Sequence, residues 1–212
     1  MVMCPPSNSP VSIAILAKAP IPGLAKTRLI TAIGAHAAAV LQERLTERTV
    51  ATAIAANVGP VTLWCAPDAT HSTFVKLVTG KRITLKPQPK GDLGSRMFAA
   101  AAAGNGPVLV IGTDCPALTD VHLRGAADAL RGGIDVVLIP AEDGGFVLIG
   151  TRSAQPLLFT DIAWGTKTVL AETRARVIAL RLRLAERPPL WDVDTETDLA
   201  RMEREYPELK LC

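Results

Sequence analysis

Apolar residues in this chain come in short unbroken runs, separated by longer stretches rich in Ala, Leu, Glu and Arg. The plainest run covers residues 108–111, Val-Leu-Val-Ile. Its length and lack of polar positions predict a strand covered on both faces within a parallel sheet. The run stops at Gly112-Thr113-Asp114, and Pro116 cannot continue a central strand. One carboxylate therefore stands at the strand's carboxyl end, where ligands of open α/β sheets collect. Asp114 reads in two ways: a metal-binding or catalytic aspartate, or a cap for a turn or for the helix starting near Thr119.

The same patterning predicts strands over residues 11–17, 61–66, 82–85, 135–139 and 146–149. Helices are expected over 28–57, with a break near Gly34, and over 69–78, 94–103, 119–130, 166–174 and 196–206. The five alanines at 99–103 offer a smooth face for close packing. From Ile178 to Leu184 apolar residues alternate with polar ones, the pattern of a one-sided strand near a sheet edge. Residues 191–195 read as a further extended segment. Strands alternating with helices at this spacing predict an α/β sandwich with a mainly parallel, mixed sheet. Residues 1–10 read as a flexible tail and residues 11–212 as one domain.

Composition narrows the function. Apolar residues make up 49% and charged residues 20% of the 212, a globular balance. A net charge of +3 with a single Tyr argues against nucleic acid as a partner. Cys4, Cys65, Cys115 and Cys212 form no CxxC pair, and His36, His71 and His122 form no ligand pattern. Reduced thiols, with no run of membrane-spanning length, point to a soluble cytoplasmic protein.

Positive charge matters only where it is local. The loop after the first strand carries Lys18, Lys26 and Arg28 within eleven residues, beside a helix amino terminus. It is neither a Walker A loop nor GxGxxG, and reads as a phosphate cradle or as solvated surface cations. A second loop runs from Lys86 through Gln88, Gly91, Asp92, Gly94 and Ser95 to Arg96. Its glycines permit close backbone approach to a ligand, while Ser95 or Asp92 is equally suited to capping a helix. Asp143-Gly144-Gly145 is a turn signal by default. In an extended segment, Asp192 and Asp194 share one face and Trp191 and Val193 the other. Two such carboxylates repel, and a hard divalent cation would relieve them. Thr195 with Asp198 fits a capping box.

The order of these motifs resembles a family of small bacterial glycosyltransferase-like proteins, long catalogued as uncharacterised and as radical-SAM/selenodomain-associated transferases. They belong to the nucleotide-diphospho-sugar transferase (GT-A) superfamily. The resemblance implies a single-domain, GT-A-like three-layer sandwich covering nearly the whole chain. It implies that Lys18, Lys26 and Arg28, in a loop with Pro20 and Gly23, contact nucleotide phosphates. It places Gln88, Gly91, Asp92 and Gly94 near the base or ribose. Asp114 becomes the main ligand of Mg²⁺ or Mn²⁺, with Asp194, or else Asp192, as the second. Asp114, Lys26 and Asp143 form the catalytic set, and Gly144 and Gly145 bind the acceptor. Gly165 and Lys167 stand where the family pattern leads one to expect a serine or another small residue, which counts against an acceptor role for that loop.

Three functions follow as expectations. The first is glycosyl transfer from a nucleotide diphosphate sugar to a small-molecule acceptor. The second, favoured by the cationic first loop, is nucleotidyl transfer from an NTP to a phosphorylated or carboxylated molecule. The third is nucleotide binding without turnover.

Overall fold

The computed structural model describes residues 9–211. Most of the expected tail, with Cys4 and Cys212, lies outside these residues. Each short apolar run forms a strand: β1 (Ser12–Lys18), β2 (Val61–Ala66), β3 (Ile83–Pro87), β4 (Val108–Ile111), β5 (Val136–Pro140), β6 (Phe146–Thr151) and β7 (Leu184–Glu186). Between them lie α1 (Ile30–Ala56), α2 (Ser72–Val78), α3 (Leu93–Ala102), α4 (Asp120–Arg131), α5 (Val169–Ala179) and α6 (Glu196–Glu205). The expected break near Gly34 is present, since its backbone leaves helical geometry inside α1.

All seven strands share one sheet in the order β3-β2-β1-β4-β6-β5-β7. Only β6 runs antiparallel to its neighbours. All four residues of β4 are buried at the middle of this sheet. Alternate residues feed two cores: Leu109 and Ile111 meet α1, α2 and α4, while Val108 and Val110 meet α3 and α5. The result is a three-layer sandwich. Burying each such side chain contributes about 1.5–3 kcal/mol, so the strand ending at Asp114 is firmly held.

Two expectations need correction. Residues 178–184 do not form one strand. Ile178 belongs to α5, Arg181 takes a left-handed conformation with φ 55°, and the edge strand β7 is three residues long. Leu180, Leu182 and Leu184 still pack on one core, which is the apolar signal the alternation carried. The turn ends the helix because the Leu182 N–H bonds back to the Val177 carbonyl. Helix α5 also begins at Val169 rather than Thr166, because residues 164–166 serve a different purpose described below.

The winding order positions the site. From β1 the chain moves outward through β2 and β3, then returns to place β4 on the other side of β1. The loops leaving β1 and β4 therefore diverge, opening a crevice at their carboxyl ends.

Candidate active site

A cleft of about 580 Å³ occupies this crevice. Its floor is the ends of β1 and β4. Its walls are the loop after β1, the first turns of α3, the β5–β6 turn, residues 164–166, and Asp192 with Asp194.

Its charges are tied together across the chain. Lys26 adopts a left-handed backbone, φ 46° and ψ 46°, which aims its side chain inward. Its Nζ lies 2.5 Å from Asp114 Oδ1 and donates to the Val193 carbonyl at 2.6 Å. The Lys26 side chain is only 4% exposed, which rules out a solvated surface cation. The Val193 N–H in turn donates to the Asp114 carbonyl at 2.9 Å. Arg28 pairs with Asp194 at 2.7 Å, both well exposed. Two of the three first-loop cations thus face carboxylates. Lys18 and Arg96 line the cleft with no carboxylate partner among the described residues; Arg96 Nε donates to the Gly91 carbonyl at 3.1 Å.

The alternation over 191–194 holds. Trp191 and Val193 are buried with Leu199 and Met202 of α6, and Asp192 and Asp194 face the cleft. Thr195 and Asp198 make the expected capping box. Burial, and then the neighbouring charges of Asp114 and Asp143, push the Asp192 carboxyl up to about 7. Burial also raises Asp194, against the opposing pull of Lys26. Burial, with the Asp192 charge behind it, lifts the Cys115 thiol to about 12, so no thiolate nucleophile is available there. Capping of α4 belongs to Thr119 with His122, which leaves Asp114 free of that duty.

The glycine motifs serve packing. A Cβ on Gly94 would lie 2.0 Å from the Phe159 carbonyl and 2.5 Å from Trp164 Nε1. On Gly144 it would meet the Lys167 carbonyl at 2.4 Å. One segment, residues 159–167, is therefore seated on both turns, and it brings Trp164, Gly165 and Thr166 to the cleft wall. Trp164 Nε1 is buried there without a partner among the described residues. Asp92 caps α3 by accepting from the Ser95 N–H at 2.8 Å. Gln88 lines the cleft, yet its amide donates to the Ala17 and Trp64 carbonyls, clamping the ends of β1 and β2. Pro20, Gly23, Gly91, Asp92, Gly94 and Gly144 do not line the cleft, whereas Lys18, Lys26, Arg28, Asp114, Asp143, Gly145 and Asp194 do.

One residue escaped the sequence reading. Gln42 of α1 is 3% exposed and donates to Thr113 Oγ1 at 2.9 Å and to Thr46 Oγ1 at 3.2 Å, steadying the backbone that bears Asp114. The available signal was a polar residue inside the apolar stripe of Ala38, Leu41 and Leu45.

Comparison with known proteins agrees with this geometry. The family described as "Uncharacterized protein conserved in bacteria" (DUF2064) matches residues 49–166. A candidate nucleotide-diphospho-sugar transferase of Desulfovibrio desulfuricans G20 is 30% identical, with a TM-score of 0.83 over 92% of this chain and 87% of that one. The 4-diphosphocytidyl-2C-methyl-D-erythritol synthase of Anaerococcus prevotii DSM 20548 shares the fold at 12% identity, TM-score 0.64, covering 95% and 98%. Glucosyl-3-phosphoglycerate synthase of Mycobacterium tuberculosis, solved with Mn²⁺, UDP and glucosyl-3-phosphoglycerate, does so at 13%, TM-score 0.54, covering 94% and 78%. No curated protein matches the chain. With over half its length matched and a 30% identical relative aligned nearly end to end, the chain belongs to the DUF2064 family, within the nucleotide-diphospho-sugar transferase superfamily.

Proposed function

We propose that the protein is a metal-dependent glycosyltransferase, moving a sugar from a nucleotide diphosphate donor to a small acceptor. One observation carries this reading: Asp114, Asp192 and Asp194 gather around Lys26 at the end of the central strand, in a chain 30% identical to a candidate nucleotide-diphospho-sugar transferase.

Mg²⁺ or Mn²⁺ suits these residues. Burial, and then the crowding of the neighbouring carboxylates, raise the proton affinity of Asp192, and a hard cation relieves that crowding. Among the described residues, no three His, Cys, Asp or Glu side chains converge to hold an ion unaided. Mg²⁺ normally takes one or two carboxylates and fills its shell with phosphate oxygens and water, so two ligands suffice for an ion arriving with a nucleotide. Asp114 would be the main ligand, with Asp194 or Asp192 second. When bound, the ion neutralises charge on the departing diphosphate. The Mn²⁺ in the mycobacterial synthase is consistent with this, through the shared fold alone.

Lys18, Lys26 and Arg28 would hold the phosphates, and Asp143 would take the acceptor's proton. The donor's base and ribose would lie toward Gln88 and α3. The triphosphate alternative drew on a surplus of first-loop cations. Pairing of Lys26 with Asp114 and Arg28 with Asp194 removes most of that surplus. Among the described residues no helix is long and apolar enough to cross a membrane, and Cys65 and Cys115 are free; the free thiols support a cytoplasmic setting.

Incubation with nucleotide sugars and with NTPs in Mg²⁺ or Mn²⁺, resolving NDP from pyrophosphate by chromatography, tests the reading. Slow donor hydrolysis to NDP is expected even without an acceptor. Pyrophosphate from an NTP, with every nucleotide sugar intact, would overturn it.

A further inference from the structure

The wall formed by the β5–β6 turn and residues 164–166 has a composition unlike the rest of the cleft. Phe146 and Trp164 stand edge to face, ring centroids 6.2 Å apart at 87°. Beside them, Asp143 accepts the Gly145 N–H at 2.8 Å through Oδ1. Its Oδ2 has no partner among the described residues. No cation belongs to this wall. Lys167 contributes its carbonyl to the seat on Gly144 and its side chain does not line the cleft. On neighbouring α3, Arg96 is folded back onto the Gly91 carbonyl. Lys26 and Arg28 are already paired. Asp143 instead adds to the repulsion on Asp192 and Asp194.

We propose that the acceptor is an uncharged, hydroxyl-bearing molecule of the sugar or polyol class, seated against Phe146 and Trp164 with one hydroxyl on Asp143. This rests on the glycosyltransferase reading above and specifies its second substrate. The aromatic faces suit the C–H face of a sugar ring, and the open carboxylate oxygen accepts a hydroxyl proton. A phosphate or carboxylate placed here would meet Asp143, with Asp192 and Asp194 adding to the negative field, while the unpaired Lys18 and Arg96 stand at the β1 end and on α3 rather than on this wall, an arrangement that like-charge repulsion penalises. In the transfer, the acceptor oxygen bonds to the anomeric carbon. The bond from that carbon to the diphosphate oxygen breaks, its electron pair leaving with the NDP, and the hydroxyl proton passes to Asp143.

Tryptophan fluorescence of the full chain, with Mg²⁺ and each common NDP present, measures this directly. Glycerol and free hexoses would be titrated against glycerol phosphate, hexose phosphates and small hydroxy acids. Neutral compounds should give a saturable change that is absent in Trp164→Phe, and each anionic counterpart should bind at least about tenfold more weakly. The substitution removes an indole N–H that has no partner among the described residues, so the variant should fold. Anionic compounds binding as well or better, through a response lost in Arg96→Ala, would overturn the proposal. So would the lack of any Trp164-dependent response to neutral compounds. Donor hydrolysis is scored separately. If it fails while the neutral preference holds, the donor reading falls and the acceptor wall stands.

Discussion

Two groups of carboxylates in this molecule are treated in opposite ways. At the sheet edge, Asp135 accepts two bonds from the Arg183 guanidinium, with Arg152 at 3.9 Å, and Glu186 is bridged twice by Arg174. Those hydrogen bonds hold both carboxyls below their ordinary range. In the cleft, Asp114, Asp143, Asp192 and Asp194 share Lys26 and Arg28, and burial and mutual repulsion drive Asp192 and Asp194 upward. The edge is finished as it stands, each anion matched by an arginine fork. The cleft keeps its aspartates crowded together while Lys18 and Arg96 line it without a carboxylate partner among the described residues, charges placed for a ligand rather than for one another. Perturbed groups mark function in this way because a fold selected for stability alone would not collect them.

The sharpest break in this contrast is Asp114→Asn, which removes the anion opposite Lys26 while keeping its shape. NDP release from the donor should fall about a thousandfold, some 4 kcal/mol in transition-state stabilisation. Unchanged turnover would put the site elsewhere.

Asp192→Asn should raise the stability of the protein in chelator. The folded carboxyl titrates near 7, above its ordinary 3.8, so the proton is bound more tightly in the folded state. That contribution is complete below the ordinary value and is lost as pH rises to about 7. Denaturant titrations should show the wild type losing about 2–3 kcal/mol between pH 4 and pH 8, with the loss largely gone in the variant. A parallel decline in both proteins would show that Asp192 is not the source. Saturating Mg²⁺ with an NDP should shrink the wild-type loss.

Arg28→Ala separates binding from support. Its pair with Asp194 is exposed, so melting should barely change, whereas NDP affinity should drop by about 1.5 kcal/mol relative to the parent nucleoside. Equal losses for nucleoside and NDP would assign the loop to the fold.

The smallest effect belongs to the finished edge. Asp135→Asn should cost under about 1 kcal/mol at pH 7, because Arg183 is largely exposed. The folded pKa is depressed, so the contribution is present above the ordinary carboxylate range and vanishes on acidification. A variant already as stable as wild type at pH 7 and low salt would show the edge pairs to be ornamental.

Local signals were legible and distant pairings were not. β2 and β4 follow from apolar runs, the break at Gly34 from one residue, and the cap at Thr195 from Asp198, three positions away. The two faces of 191–194 follow from the period of an extended chain. Gly94 and Gly144 were visible as special, but the sequence invites a ligand as the reason, whereas the reason is a segment some 23 to 65 positions further on, counting from Gly144 to Lys167 and from Gly94 to Phe159. Lys26 was read toward phosphate because nothing in eleven residues reveals a carboxylate 88 positions away, at Asp114. Gln42 gave no chemical motif at all; its meaning comes from Thr113, 71 positions on.

The carbonyl that steadies Lys26 belongs to Val193, 167 residues later in the chain. At ordinary translation speeds of about 5–20 residues per second, Lys26 is made roughly ten to thirty seconds before that partner exists. The sheet strands β1 to β4 can pair during the interval, but the lysine and the central aspartate cannot be fixed in their final places. The nascent protein therefore spends its synthesis without a working cleft, and only arrival of the carboxyl-terminal segment makes it competent. Ribosome-bound chains halted before residue 190 should resist protease at the sheet yet retain no nucleotide.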